Sequence, residues 1–278
     1  MRSIAAKTVV DGVAAMCIDA CRILPPEIHR AFLRCQREET PRGRESLRQL
    51  LDNAALSSSL GLPLCQDCGL AVFFVEKGED VRVEGMPLRQ AINEGMVKGY
   101  RDGFLRKSTC DPFTRVNRGD NTPAIVHFDI VPGDRIRIVM VPEGASAGND
   151  TKAAFLDPAH GPEAILDFVV ASVAEACQSV CAPVLAGIGV GGTLETAALN
   201  AKKALLRPLD DESSDPALAR LERDVLNAAN RLGTGPLGLG GRTTCLGVKA
   251  LSAPCAPDAL PVAVYIQCHC ARRSEVTL

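Results

Sequence analysis

"VLAGIGVGGTLETAALNAKKALLR", residues 184–207, is the stretch on which the fold turns. An apolar run enters a cluster of glycines, and alanines and leucines then recur at three- and four-residue spacing. That pattern predicts a strand, a tight turn and a helix. Within it, Gly187 to Gly192 spell G-x-G-x-x-G, and Asp210 and Asp211 follow about 20 residues on, which is the formal mark of a dinucleotide-binding unit. On that reading the chain would be a dinucleotide-binding oxidoreductase. Two features argue against it. The fingerprint normally opens the first βαβ unit of a domain, yet most of this chain precedes it. The two acids lie in "PLDDESSDP" (208–216), an exposed Ser/Asp/Pro loop and not the end of a second strand. The plainer reading is a turn that aims a helix N-terminus at an anion, not necessarily a nucleotide.

Outward from this stretch, residues 3 to 35 read as helical with a stop at Pro25 and Pro26, a second helix is expected from about Pro26 to Glu38, and a third over 43–55. "LAVFFVEKG" (70–78) reads as a strand and "LRQAINEGMVKGYRDGFL" (88–105) as a helix. "TPAIVHFDIV" and "RIRIVMVPEG" alternate about the turn "PGD", which predicts an antiparallel hairpin or neighbouring strands. Helices are expected over 162–180 and 217–232, and "LPVAVYIQ" reads as a last strand before a polar tail. With no repeat and no linker, the expected fold class is mixed α/β (α+β). It is one composite domain over residues 1–278, an antiparallel or mixed sheet with flanking helices.

The 278 residues suffice for a sizeable core, and a composition 46% hydrophobic and 23% charged is that of a globular chain. With no tryptophan and 4% aromatics, the core must be aliphatic. A net charge of −2 argues against nucleic acid or an anionic membrane as partner. No apolar run reaches the roughly 18 residues of a membrane span. The N-terminus, interrupted by Asp11 and Asp19, is not of signal-peptide type. A cytoplasmic, reducing location is therefore expected, in which the 12 cysteines are core residues, metal ligands or catalytic groups and not disulfides. Cys17, Cys21 and Cys35 have the pattern of core residues.

The remaining cysteines include "GLPLCQDCGL" (61–70), with Cys65 at the entry to a glycine turn, Cys181 just ahead of the strand at 184, and Cys268 at the end of the last strand. Zinc bound by Cys65, Cys68, Cys268 and Cys270 satisfies C-x-x-C arithmetic but leaves the glycine loops "EGASAGN" (143–149) and "GPLGLGGRT" (235–243) unexplained. Taken together, "PLCQDCGLAVFF", "RGDNTPAIVHFDIVPGD", "CAPVLAGIGVGGTLETAALNAKKALLR", "LGTGPLGLGGRTTCLGVK" and "LPVAVYIQCHCARR" resemble the α subunit of the class I, iron–sulfur fumarate hydratase and L(+)-tartrate dehydratase family. The resemblance runs over essentially the whole chain.

That resemblance implies a [4Fe–4S] cluster on Cys65, Cys181 and Cys268, with one iron left open as a Lewis acid. It implies reversible hydration of a C4 dicarboxylate, fumarate to malate, or the dehydration of tartrate to oxaloacetate. Asp67 would be the catalytic acid. Gln66 and Arg106 would bind a carboxylate, an arginine fork suiting two parallel bonds. Asn121, Thr122 and Gly144 would shape the substrate pocket. A separate β subunit should complete the site, in an α2β2 heterotetramer or an α–α dimer. The sequence departs from the family in three places. Cys68 stands where the family has threonine. "GASAGN" replaces a triple glycine followed by Ser-Glu-Asn. "PCAPDALP" puts Ala256 where a histidine is usual. Loss of that proton carrier implies a different substrate, a substitute such as Asp258, or a weakened subunit whose cluster is structural or sensing.

Overall fold

The computed structural model describes residues 1–145, 148 and 150–278. Ser146, Ala147 and Asn149, part of the "EGASAGN" loop expected to shape the pocket, lie outside the described residues. Helices and mixed sheets make up the chain, as the α+β expectation required. They gather into two compact units, each assembled from separated segments. One holds residues 1–25, 53–145 and 272–278, the other 26–52 and 146–271.

The first unit contains β1 (Arg2–Ala5), α1 (Ala6–Arg22), β2 (Leu70–Gly78), β3 (Val81–Glu84), α4 (Leu88–Asp102), β4 (Ile125–Val131), β5 (Ile136–Glu143) and β10 (Ser274–Thr277). The second contains α2 (Pro26–Glu38), β6 (Lys152–Leu156), α5 (Gly161–Ala176), β7 (Val184–Gly191), α6 (Leu194–Ala204), α7 (Pro216–Asn230), β8 (Cys245–Ala253) and β9 (Leu260–Gln267). Helix α3 (Pro41–Leu60) begins among the residues of the second unit and ends among those of the first.

In the first unit the sheet order is β10-β5-β2-β4, with β2 parallel to β4 and antiparallel to β5. The hairpin expected between β4 and β5 is therefore corrected. β2 lies between them, and the "PGD" turn spans that intervening strand. Helix α1 places Val9, Val13, Met16, Cys17, Ala20 and Cys21 on its buried face, the spacing of a core-facing helix. Helix α4 crosses it closely because Gly95 and Gly99 present no side chain there. A Cβ at Gly99 would stand 2.6 Å from the Ala14 carbonyl oxygen. Cys17 and Cys21 are core residues, as expected, whereas Cys35 is only half-buried.

In the second unit the order is β6-β9-β7-β8, and the central β7 again has one parallel and one antiparallel neighbour. The glycines of the opening stretch find their reason here. A Cβ at Gly187 would stand 2.0 Å from the Ala201 carbonyl oxygen, and one at Gly189 1.9 Å from that of Ala197. Alternate glycines on β7 thus let the backbone of α6 lie directly against the strand. Helix α6 is capped by Thr193, whose Oγ1 accepts from the Thr196 N–H. The two acids downstream are occupied elsewhere. Asp210 pairs with Arg34 at 3.1 Å, and Asp211 pairs with Arg207 at 2.9 Å. The motif serves helix-on-strand packing. Gly189→Ala is expected to cost about 3 kcal/mol, at the upper end of overpacking penalties because a backbone carbonyl cannot rotate away. The shift of the urea midpoint measures it.

The loop "GTGPLGLGGRTT" in the same unit is held by one carboxylate. Glu39, 4% exposed, accepts from the backbone N–H groups of Thr40, Arg242 and Thr243. Burial pushes its carboxyl upward, but those N–H groups outweigh burial and hold it below its ordinary value.

Candidate functional site

In the first unit the turn 65–69 enters β2. Gly69 has φ +70°, and a Cβ there would stand 2.5 Å from the Glu143 carbonyl oxygen, so only glycine lets the turn sit against the end of β5. Tyr100, fully buried on α4, supports the turn from below through its hydroxyl, which donates to the carbonyls of Cys68 (3.0 Å) and Gly69 (3.2 Å).

Asp67 is half-buried and fixed at both of its ends. One carboxylate oxygen accepts from the Gly69 N–H at 3.1 Å, and the other from the Ala145 N–H at 2.8 Å. Its backbone oxygen accepts from Arg272 Nη1 at 2.6 Å. Gly144 is close by. A Cβ added there would lie 3.0 Å from Asp67 Oδ2, so this glycine keeps space clear beside the carboxylate. Gln66 and Arg106 are exposed. The guanidinium of Arg106 makes no ion pair among the described residues, so it is available to a ligand carboxylate.

Asn121, fully buried with φ +68°, braces the turn. Its Oδ1 accepts from the N–H groups of Ser108 (2.6 Å) and Thr109 (3.2 Å), and its Nδ2 donates to the Gly69 carbonyl at 3.3 Å. Asn121 thus ties the turn to the segment carrying Arg106. Thr122 turns inward on its own loop, its N–H and hydroxyl both donating to Asp120 Oδ1. Cys68 is 1% exposed. Its sulfur accepts the Arg106 N–H at 3.3 Å. The Cys21 thiol's hydrogen bond, aided by that N–H and the charge of Arg272, draws the Cys68 thiol below its ordinary value against burial. Cys68 is an internal strut, which weighs against the zinc set that would need it.

In the second unit Cys181 is exposed and Cys268 half-buried. His269 brings their segments together. Its backbone N–H donates to the Cys181 carbonyl at 3.2 Å, and its Nδ1 lies 3.3 Å from the same oxygen. Burial, and after it the charge of Cys268, raises the Cys181 thiol above its ordinary value, as expected of neighbouring sulfurs. The ligand atoms of Cys268, His269 and Cys270 all lie within 4.8 Å of one another. By contrast, Cys17, Cys21 and Cys245 are sealed in cores. The donors at Cys181 and Cys268 are soft, adjacent and reachable, and in chemical type they fit an iron–sulfur cluster. Cys65, half-buried two residues ahead of Asp67, is likewise reachable.

Ala256 and Asp258 are exposed in the turn between β8 and β9. Sequence reasoning missed Arg272, the Ala145 N–H and Ser108, whose hydroxyl donates to Asp67 Oδ1 at 3.5 Å.

The family model described as "Fumarate hydratase (Fumerase)" matches residues 10–277. A Methanocaldococcus jannaschii protein, provisionally named L(+)-tartrate dehydratase subunit alpha, is 34% identical over 271 residues, covering 95% of both chains. The L(+)-tartrate dehydratase subunit alpha of Escherichia coli strain UTI89 is 34% identical over 246 residues, 86% of this chain and 80% of the relative. That of strain K12 is 33% identical over 248 residues, with the same coverage.

Proposed function

The chain belongs to the fumarate hydratase (Fumerase) family, and from that premise we propose that it is the α subunit of a [4Fe–4S]-dependent hydro-lyase. The reaction is reversible addition and removal of water at a C4 dicarboxylate, fumarate/malate or tartrate/oxaloacetate. Residues 1–278 act as one catalytic domain made of the two compact units. Cys65, Cys181 and Cys268 are the thiolates that hold the cluster, which when bound supplies a Lewis acid for the substrate hydroxyl.

The chain's own residues do the rest. Asp67 carries the proton for the departing or arriving hydroxyl. Gln66 and the planar fork of Arg106 grip a carboxylate. Asn121 and Thr122 hold the loops, and Gly144 keeps space beside the acid. The base and further carboxylate contacts come from a separate β subunit, in an α2β2 assembly or around an α–α dimer, in the cytoplasm. The observation that supports this reading most is the fixing of Asp67, its carboxylate by two backbone N–H groups and its main-chain carbonyl by a buried arginine. A surface acid with no task does not need to be held at both its carboxylate and its main chain.

A second reading, a weakened subunit with a structural or sensing cluster, draws support from Ala256 in place of the family histidine. One experiment separates them. The chain is purified anaerobically with its β partner and assayed with fumarate and with L(+)-tartrate. A brown, oxygen-bleached complex that turns over either acid supports the enzyme. A brown complex inert to both supports the second reading, and a colourless chain that binds NAD overturns the two together.

A further inference from the structure

We propose that Arg272 is a positioning residue for the Asp67 acid, an inference that rests on the hydro-lyase reading above. Arg272 is 3% exposed, and a guanidinium remains charged at any working pH. Burying it is costly unless its donors are used. One of them, Nη1, is spent at 2.6 Å on the backbone carbonyl of Asp67, 205 residues earlier in the chain.

The second arm of the fork lies close to the same place. A Cβ at Gly144 would stand 3.0 Å from Asp67 Oδ2 and 3.6 Å from Arg272 Nη2. The fork and the carboxylate therefore border one small space, and Gly144 is the residue that keeps it open. The Gly69 and Ala145 N–H groups hold the carboxylate end of Asp67, and Arg272 holds its main chain. Neither tie alone fixes the direction of the acid. Without the arginine, the peptide of Asp67 can rotate and carry the carboxylate with it. Lysine cannot replace the fork, because it offers one compact ammonium on a flexible stem. Arg272 touches no substrate in this scheme and acts through Asp67.

The test uses Arg272→Lys and Arg272→Met in the full chain, reconstituted anaerobically with its β partner. Iron per chain, kcat, KM and hydrogen exchange at the Gly69 and Ala145 amides are read together. Arg272→Lys is expected to lower kcat about tenfold and Arg272→Met about 100-fold, the scale of loss from a misplaced reacting group. KM should stay within about twofold, since ground-state binding is untouched. Iron per chain should be unchanged. The Gly69 and Ala145 amides should exchange about tenfold faster, while those of Phe73 and Met140 in the sheet hold their protection.

A kcat that keeps its wild-type value overturns the proposal. So does a kcat loss that merely tracks lost iron or lost folded protein, or a rise in KM at constant kcat. If the wild-type complex holds no iron and turns over neither acid, the hydro-lyase reading fails by itself. The exchange readout then decides whether Arg272 holds the turn: unchanged exchange in both variants overturns it, and acceleration confined to Gly69 and Ala145 upholds it.

Discussion

Cys181→Ala is expected to abolish cluster assembly, while Cys177→Ala leaves it intact. The two residues are four apart, so the comparison isolates the chemistry of the thiol from its neighbourhood. Cys177 caps the C-terminal end of α5, and burial followed by the nearby charge of Asp150 pushes its thiol up to about 11. Burial raises the Cys181 thiol as well, so the two differ in access and not in the direction of titration. Cys181 is exposed, and its segment is tied to that of Cys268 by His269. Even contacts outside a metal's direct ligands are worth about 10–100-fold in affinity, so removal of a ligand should lower iron per chain by more than about tenfold. Iron and sulfide are measured after anaerobic reconstitution, with Cys65→Ala and Cys268→Ala in parallel. Equal iron in Cys181→Ala and the wild type contradicts the ligand set. Retention of the far-ultraviolet spectrum separates this from a folding defect, which an exposed cysteine gives little reason to expect.

What the sequence made legible was local. The strand, turn and helix of residues 184–207 were readable from spacing, because period and glycine content are local properties. The purpose of the glycines was not. That Gly187 and Gly189 face the backbone of α6 depends on what packs against β7. The same limit explains the hairpin between β4 and β5. Alternation marks both strands but cannot say which strand lies beside which, and β2 comes between them although it is separated from β4 by a helix. Strand β8, "CLGVKALSA", escaped notice because its small residues lack the β-branched bulk that marks a strand. Strand β10, Ser274–Thr277, is four residues long on a sheet edge with Val276 as its one apolar residue, too short for a pattern to read. The division into two units left no linker to find, since one of its boundaries, between Asp52 and Asn53, falls inside α3. At the site, Cys65, Gln66, Asp67 and Cys181 could be named from motif resemblance. Arg272 could not, because its importance comes from burial against a residue 205 positions away.

Asp67→Asn is expected to leave the cluster in place and to lower turnover by about 100- to 10,000-fold, the usual loss when a positioned acid is removed. The substitution keeps the shape of the side chain but alters two of its bonds. Both carboxylate oxygens of Asp67 accept backbone N–H groups, from Gly69 and from Ala145. An amide has one oxygen, so one of those N–H groups meets an NH2 and loses its acceptor. A bond of this kind to a charged acceptor contributes about 1.5–3 kcal/mol, and the site is half exposed, so stability should fall by an amount at or below that range. Turnover falls for a different reason, because an asparagine amide neither gives nor takes the proton. The two effects are read separately. Urea denaturation follows the lost hydrogen bond, kcat at saturating substrate follows the lost proton, and iron per chain shows that Cys65, two residues away, still serves as a ligand. Asp67→Glu gives the converse. It restores a titrating group but moves it by one methylene away from the Ala145 N–H, and it should recover less than about a tenth of the wild-type rate, since proton transfer tolerates little misplacement. Full turnover in Asp67→Asn removes this residue from the chemistry and leaves its hydrogen bonds with a purely architectural role.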